Sequence, residues 1–216
     1  MTIRFAAILL AAVIPASAQA PTLPADVDSK SYSRLPLLNR DGMTPEQLKV
    51  MDKIAGKDRA TPPLGPQATS LYSPGVAEPV DGLNQYLRKT VVGAHYFEIC
   101  AMMGAWEMEN AYEFSAHEGG AVRAGVGADT IDAIKYNRDL KGLPEKDAAV
   151  IEFGRALFRG HHRASPELYS RIVEVFGRQG LIELAAIMGD YGMMALMLNA
   201  AGQELPPDRK NTLPAR

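Results

Sequence analysis

A chain of 216 residues with 23 basic and 25 acidic side chains, formal net charge −2, has no basic excess to draw it to nucleic acid. Its single cysteine, Cys100, excludes an internal disulfide framework and a two-cysteine redox cycle within one chain. The length suits one domain with a real hydrophobic core.

Met1 to Ala18 reads as a secretory signal. Arg4 is the charged start, Phe5 to Ile14 the apolar stretch, and Ala16-Ser17-Ala18 the cleavage site. The apolar run is too short to span a bilayer. Cleavage would leave 198 residues starting at Gln19, with 22 basic and 25 acidic side chains and net charge −3. The protein is therefore expected in the periplasm or secreted, with no membrane attachment once the signal is removed.

Residues 19–66 form an arm rich in Pro and polar residues. One helix lies within it, opened by the capping box Thr44-Pro45-Glu46-Gln47 and striped by Leu48, Met51 and Ile54. The flanking segments, 21–41 and 56–65, read as extended and as wrapping a neighbour or the body. Residues 67–206 form the main domain, helical from Ser73 onward. A helix over 74–89 places Val76, Val80, Leu83 and Leu87 on one side, with Pro79 disturbing its first turn. A long buried helix follows over 91–109, then a break near Asn110 and a second helix over 111–124 that ends at Gly125. Gly119-Gly120 inside that helix costs roughly 1 kcal/mol per glycine, which makes sense if another backbone approaches closely. Asp129 is expected to cap a helix through Asn137, Pro144 to open the next, and Ser165-Pro166-Glu167 to start one leading to Phe176. The last helix spans 181–201 and stops at Gly202. Residues 207–216 read as a flexible tail. No segment alternates as a strand would, so the class is all-α, a single domain of helices around a shared core.

The stretch from Thr90 to Val122 is the most informative. It holds Glu98, Glu107, Glu109, Glu113 and Glu118 with His95 and His117, but no Lys, Arg or Asp. Carboxylates leaving water need cations or donors, and the local candidates are imidazoles. Glu113 and His117 stand four residues apart, on one helix face. The pair is either a proton-transfer unit, in which the carboxylate orients the imidazole, or an ordinary helix-surface pair. Glu98, between Phe97 and Ile99, is either a buried acid needing His117 or Tyr112 as partner, or a solvated acid at a helix edge. Cys100 lies in an apolar run and reads as a small buried hydrophobe. His95 and His117 lack metal-ligand spacing, and no glycine-rich phosphate loop follows a strand. Neither a metal nor a cofactor is expected. The methionines at 188, 193, 194 and 197 read as core filling.

The run from Trp106 to Glu118, with Tyr112-Glu113-Phe114 and His117-Glu118 at its centre and Ala124-Gly125 beyond, resembles the carboxymuconolactone decarboxylase-like family of the AhpD-like superfamily. Leu35-Pro36-Leu37 with Thr44 to Gln47, and Gly189-Asp190-Tyr191 through Pro206, resemble the family's two ends. The resemblance covers residues 35–206 and implies an AhpD-like helical bundle that assembles as a trimer or hexamer. Redox-active members carry a C-x-x-C-x-x-x-H motif with an upstream glutamate. Those positions fall on Asn110, Glu113, His117 and Glu98, so the proton relay remains without the two cysteines. The resemblance then implies cofactor-free decarboxylation or isomerisation of a small organic acid or lactone, a carboxy-lyase-like reaction. His117 would be the general acid/base, Glu113 its orienting group and Glu98 the rest of the relay. Tyr112 would donate to a substrate oxygen, and Trp106 would wall the site from water. Two further readings stay open: a peroxiredoxin-like or alkylhydroperoxidase-like antioxidant working through Cys100 or an intermolecular thiol, and a non-catalytic binding or assembly protein on the same scaffold.

Overall fold

The computed structural model describes residues 23–215. The expected signal segment lies outside these. In chain order the helices are α1 (Pro45–Ile54), α2 (Pro66–Ser70), α3 (Pro74–Leu87), α4 (Gly93–Glu107), α5 (Ala111–Arg123), α6 (Ala128–Lys135), α7 (Glu145–Phe158) and α8 (Pro166–Ala200). A 3-10 turn, Arg40–Gly42, precedes α1, and among the described residues β pairing is limited to one bridge, Asp28 with Ser33. The all-α expectation is met.

Local chemistry explains most boundaries. The Thr44 side chain accepts from the Gln47 amide and the Gln47 side chain from the Thr44 amide, the reciprocal cap that starts α1. Ser165 caps α8 in one direction only, its side chain accepting from the Leu168 amide. α8 joins the two helices expected over 165–176 and 181–201; they meet at Gly177, whose φ of 71° bends the helix. Asp129 is not a cap: Gly127 takes that place and Asp129 sits in the first turn, where its charge complements the helix dipole. The buried face of α3 is also rotated from expectation. Val76 and Leu83 are exposed, while Ala77, Asn84 and Leu87 are buried, because Asn84 carries hydrogen bonds to α8. The five-residue α2 was not foreseen in the sequence.

α4 is the hub. It is apolar nearly all round, and Ile99, Cys100, Ala101, Met102 and Ala105 are fully buried. α8 covers one side of it, while α5, α6 and α7 cover the rest. The arm follows the body: Arg34 N–H donates to the Ala201 carbonyl and Glu204 N–H to the Tyr32 carbonyl. α1 and α3 close a second small core of Met43, Val50, Met51, Leu71 and Ala77. The segment after α8 touches the body. Leu213 packs on the main core, and Arg209 stacks on Tyr112 with its guanidinium carbon 4.3 Å from the ring centre.

α4 and α8 approach so closely because Gly104 has no side chain. A Cβ there would lie 2.7 Å from the Met188 carbonyl oxygen and 2.9 Å from the Gly192 nitrogen. Both are backbone atoms of a packed helix and cannot swing aside. Gly104→Ala is expected to destabilise the fold by about 1–3 kcal/mol, lowering Tm by about 2–4 °C per kcal/mol. An unchanged melting curve would show that the two helices can separate at no cost.

Candidate active site

The α4–α5 connection sets the site. Glu109 takes a left-handed conformation, φ 51°, and turns the chain back on α4. Asn110 then caps α5: its side-chain oxygen accepts from the Glu113 amide at 2.9 Å, and its Nδ2 donates to Asn199 Oδ1 at 2.7 Å. This buried amide fixes the start of α5 against the end of α8.

Three of the expected residues are brought together. His117 Nδ1 donates to Glu98 Oε2 at 2.7 Å, an α5-to-α4 contact, and Glu113 Oε2 lies 3.6 Å from Nε2 on the other side of the ring. The Glu98 contact fixes the ring tautomer, because a carboxylate accepts and Nδ1 must then hold a proton. Nε2 is left as the atom that gains and loses a proton. All three side chains are largely buried. Gly120 explains the approach of Glu98: a Cβ there would fall 2.5 Å from Glu98 Oε2.

Burial pushes the His117 imidazole towards its neutral form. The adjoining Glu113 and Glu98 carboxylates outweigh burial, so its pKa is raised above the ordinary 6.5. The cluster opens on a cavity of about 290 Å³ lined by His117, Glu113, Tyr112, Asn84, Arg88, Tyr191 and Arg209, among others. The Tyr191 ring meets His117 edge-on at 4.3 Å between centres. Two arginines therefore face the same space as Glu113 and His117.

The other expected residues divide between this cavity and other parts of the fold. Tyr112 is buried and lines the cavity. Trp106 does not: its Nε1 donates to the Lys135 carbonyl at 3.0 Å, and Arg159 stacks on it at 4.7 Å, beside a separate cavity bordered by Pro214 and Ala215. It follows Glu98 by eight residues on α4 and ends a turn or more away from the imidazole. The acid-rich stretch also finds cations from outside itself. Glu107 pairs with Arg159 at 2.7 Å and Glu118 with Lys135 at 2.8 Å, so imidazoles are not the sole partners. His95 bonds Asp147 at 2.9 Å, away from the site. Cys100 is fully buried, and burial pushes its thiol up.

Sequence reasoning missed Asn84, Arg88 and Arg209 as site residues, and noted Asp190 and Tyr191 for resemblance alone. Asn84 and Arg88 stand at i,i+4 near the end of α3, and Arg88 Nε donates to Asn84 Oδ1 at 2.9 Å. The available signal was polarity out of place: Asp190 within the apolar α8, and Asn84 in the buried face of α3. Burial raises the Asp190 carboxyl, while its bond from Asn84 and the charge of Arg88 act the other way.

No family model and no curated protein matches the sequence. Solved structures do match. An alkylhydroperoxidase AhpD core, an uncharacterised peroxidase-related protein from Ralstonia eutropha JMP134, superimposes with a TM-score of 0.62 at 19% identity, covering 80% of this chain and 92% of that one. The chain has the AhpD-like fold. The debrominase Bmp8 in its apo form matches with a TM-score of 0.56 at 18% identity, over 79% of this chain and 90% of that one. A cysteine-to-alanine variant of Bmp8 in complex with 2,3,4-tribromopyrrole gives 0.55, with the same identity and coverage. On this AhpD-like scaffold, the two positions that the sequence resemblance gives to redox cysteines hold a helix cap, Asn110, and a carboxylate beside His117, Glu113.

Two outcomes are expected. The raised His117 pKa stabilises the fold fully below about pH 6.5, and that contribution is lost as pH rises through the raised value. Urea melts across pH 5.5–9 should show this fall in the wild type and lack it in His117→Gln. The Cys100 thiol should react with a thiol-specific dye (a disulfide exchange reagent) only upon unfolding. Fast labelling of the folded protein would contradict its burial.

Proposed function

We propose that this chain is a cofactor-independent acid–base enzyme acting on a small organic acid or lactone, with His117 as the proton carrier. One observation carries the reading: a buried imidazole, held at Nδ1 by Glu98 and flanked at Nε2 by Glu113, opens onto a cavity that also presents Arg88 and Arg209. The arginines supply charge for a substrate carboxylate. Carboxylates around the ring favour its protonated form against burial, and in that form Nε2–H is the acid.

In a decarboxylation, carbon dioxide leaves without the bonding electrons, which stay on an enolate. His117 Nε2 then delivers its proton to carbon and regains one from solvent. In an isomerisation the ring starts neutral, and its free Nε2 removes a proton from one carbon and returns it to another. Glu98 holds the ring through either sequence, and Glu113 stabilises the imidazolium.

A non-catalytic scaffold would leave these side chains exposed or structurally paired with no adjoining cavity; the cavity beside His117 and Glu113 favours the catalytic reading. A thiol-based antioxidant route has weaker support, because Cys100 is fully buried in α4 and its thiol is pushed up. The export signal, if cleaved, places the reaction outside the cytoplasm, and the AhpD-like resemblance suggests a trimer or hexamer.

The test compares wild type with His117→Gln, which keeps much of the side-chain volume and loses the titrating ring. Both are incubated with a periplasmic metabolite extract and compared by untargeted mass spectrometry. A compound depleted by wild type, with a product lighter by carbon dioxide or of equal mass, is expected. His117→Gln should slow its loss by about a hundred-fold or more. Equal depletion by both proteins would refute His117 as the proton carrier.

A further inference from the structure

The hydrogen bonds behind the cavity wall have directions that can be assigned one by one. Arg88 only donates. Its Nε reaches Asn84 at 2.9 Å, so the atom of Asn84 that faces it must be the amide oxygen. Nδ2 of Asn84 therefore faces the other way. It donates to Asp190 Oδ2 at 2.9 Å and to Tyr191 Oη at 3.2 Å. Arg88 Nη2 also donates to Tyr191 Oη, at 2.8 Å. The Tyr191 hydroxyl thus accepts two hydrogen bonds from fixed donors, which fills its two lone pairs. Its own proton has no acceptor among the described hydrogen bonds of this side chain, although Tyr191 is 1% exposed. The side chain lines the cavity, and its ring meets the His117 ring at 4.3 Å between centres.

We propose that Tyr191 is an oxyanion-binding residue, its O–H directed at a substrate oxygen in the cavity by Asn84 and Arg88. This rests on reading the cavity as the substrate site. The ligand class follows from the arrangement: a small molecule with an enolate or phenolate-like oxygen, whose neighbouring carbon lies against His117. A hydroxyl that accepts from a guanidinium and an amide is polarised to donate strongly, and it acts in a site largely withdrawn from water. Arg88 does double duty, bracing the hydroxyl and adding positive charge near the bound oxygen. Asp190 holds Asn84 in the orientation that keeps the proton pointing inward.

The probe is 4-nitrophenolate, a planar oxyanion whose visible absorption band shifts when its oxygen accepts a hydrogen bond. It is titrated into the folded protein at a pH where it is ionised, with 4-nitroanisole, which lacks the oxyanion, as the control. Wild type is expected to bind the phenolate with a band shift and the anisole poorly. Tyr191→Phe should weaken phenolate binding by about ten-fold or more and abolish the shift, leaving the anisole unaffected. Asn84→Asp tests the direction of the proton with Tyr191 in place. A carboxylate at 84 would accept the tyrosine proton, and the phenolate should then bind about ten-fold more weakly and without its band shift. Circular dichroism and Tm identify any variant that does not fold, in which case the other decides.

Phenolate binding with the wild-type shift in Tyr191→Phe, or no binding to wild type, would overturn the proposal. The readout is independent of turnover. Loss of binding in Tyr191→Phe, with no metabolite consumed by wild type, would leave the oxyanion site standing while the proton-transfer reading fell. Turnover through His117, with binding unchanged in Tyr191→Phe, would do the reverse.

Discussion

A carboxylate that crosses from one helix to the imidazole of the next is the constraint on which this site depends. Glu98 reaches His117 over the backbone of Gly120, at a position where even a methyl group would collide with it. The two helices must run antiparallel and close, which the left-handed Glu109 and the Asn110 cap arrange. α4 must also sit tightly on α8, so that Tyr191 arrives beside the same ring, and Gly104 permits that. The apolar core is thus more than a source of stability. It sets the distances at which three ionisable side chains meet.

The electrostatics divide by element. α4 and α5 contribute the acids, Glu98 and Glu113. The end of α3 and the segment after α8 contribute the cations, Arg88 and Arg209. Burial alone would lower the His117 pKa, and the two carboxylates outweigh it, so the pKa is raised. An imidazole poised in this manner needs no metal-like group to hold a proton. Its Nδ1 is committed to Glu98, so protonation changes only the atom that faces the cavity. Tyr191 lies edge-on beside the imidazole, with its hydroxyl braced by donors instead of acceptors.

Much of this was legible in the sequence, for physical reasons. Helix starts at Thr44-Pro45 and Ser165-Pro166 are local chemistry, and they appear where expected. The i,i+4 spacing of Glu113 and His117 places them on one face whatever surrounds the helix. The glycine pair at 119–120 pointed to a close approach by another backbone, but what approaches Gly120 is the Glu98 side chain. What was not legible depends on contacts distant in the chain. Asn84 looks like an interruption in an apolar stripe until α8 supplies Asp190 and Tyr191, more than a hundred positions away. Trp106 shares a motif with the site residues but faces Lys135 and Arg159, since a motif fixes spacing and not direction. The segment after α8 is polar and lacks helix signals. Its placement comes from single contacts, Arg209 on Tyr112 and Leu213 on the core, that composition cannot reveal.

The most direct measurement is an NMR titration of the His117 ring, using carbon-13-labelled histidine and assigned by loss of the signal in His117→Gln. A midpoint above the ordinary value of 6.5, lowered when Glu98 or Glu113 is changed to glutamine, is the predicted result. A midpoint at or below 6.5, unmoved by either change, would contradict a carboxylate-held imidazolium and remove the basis for His117 as the proton donor.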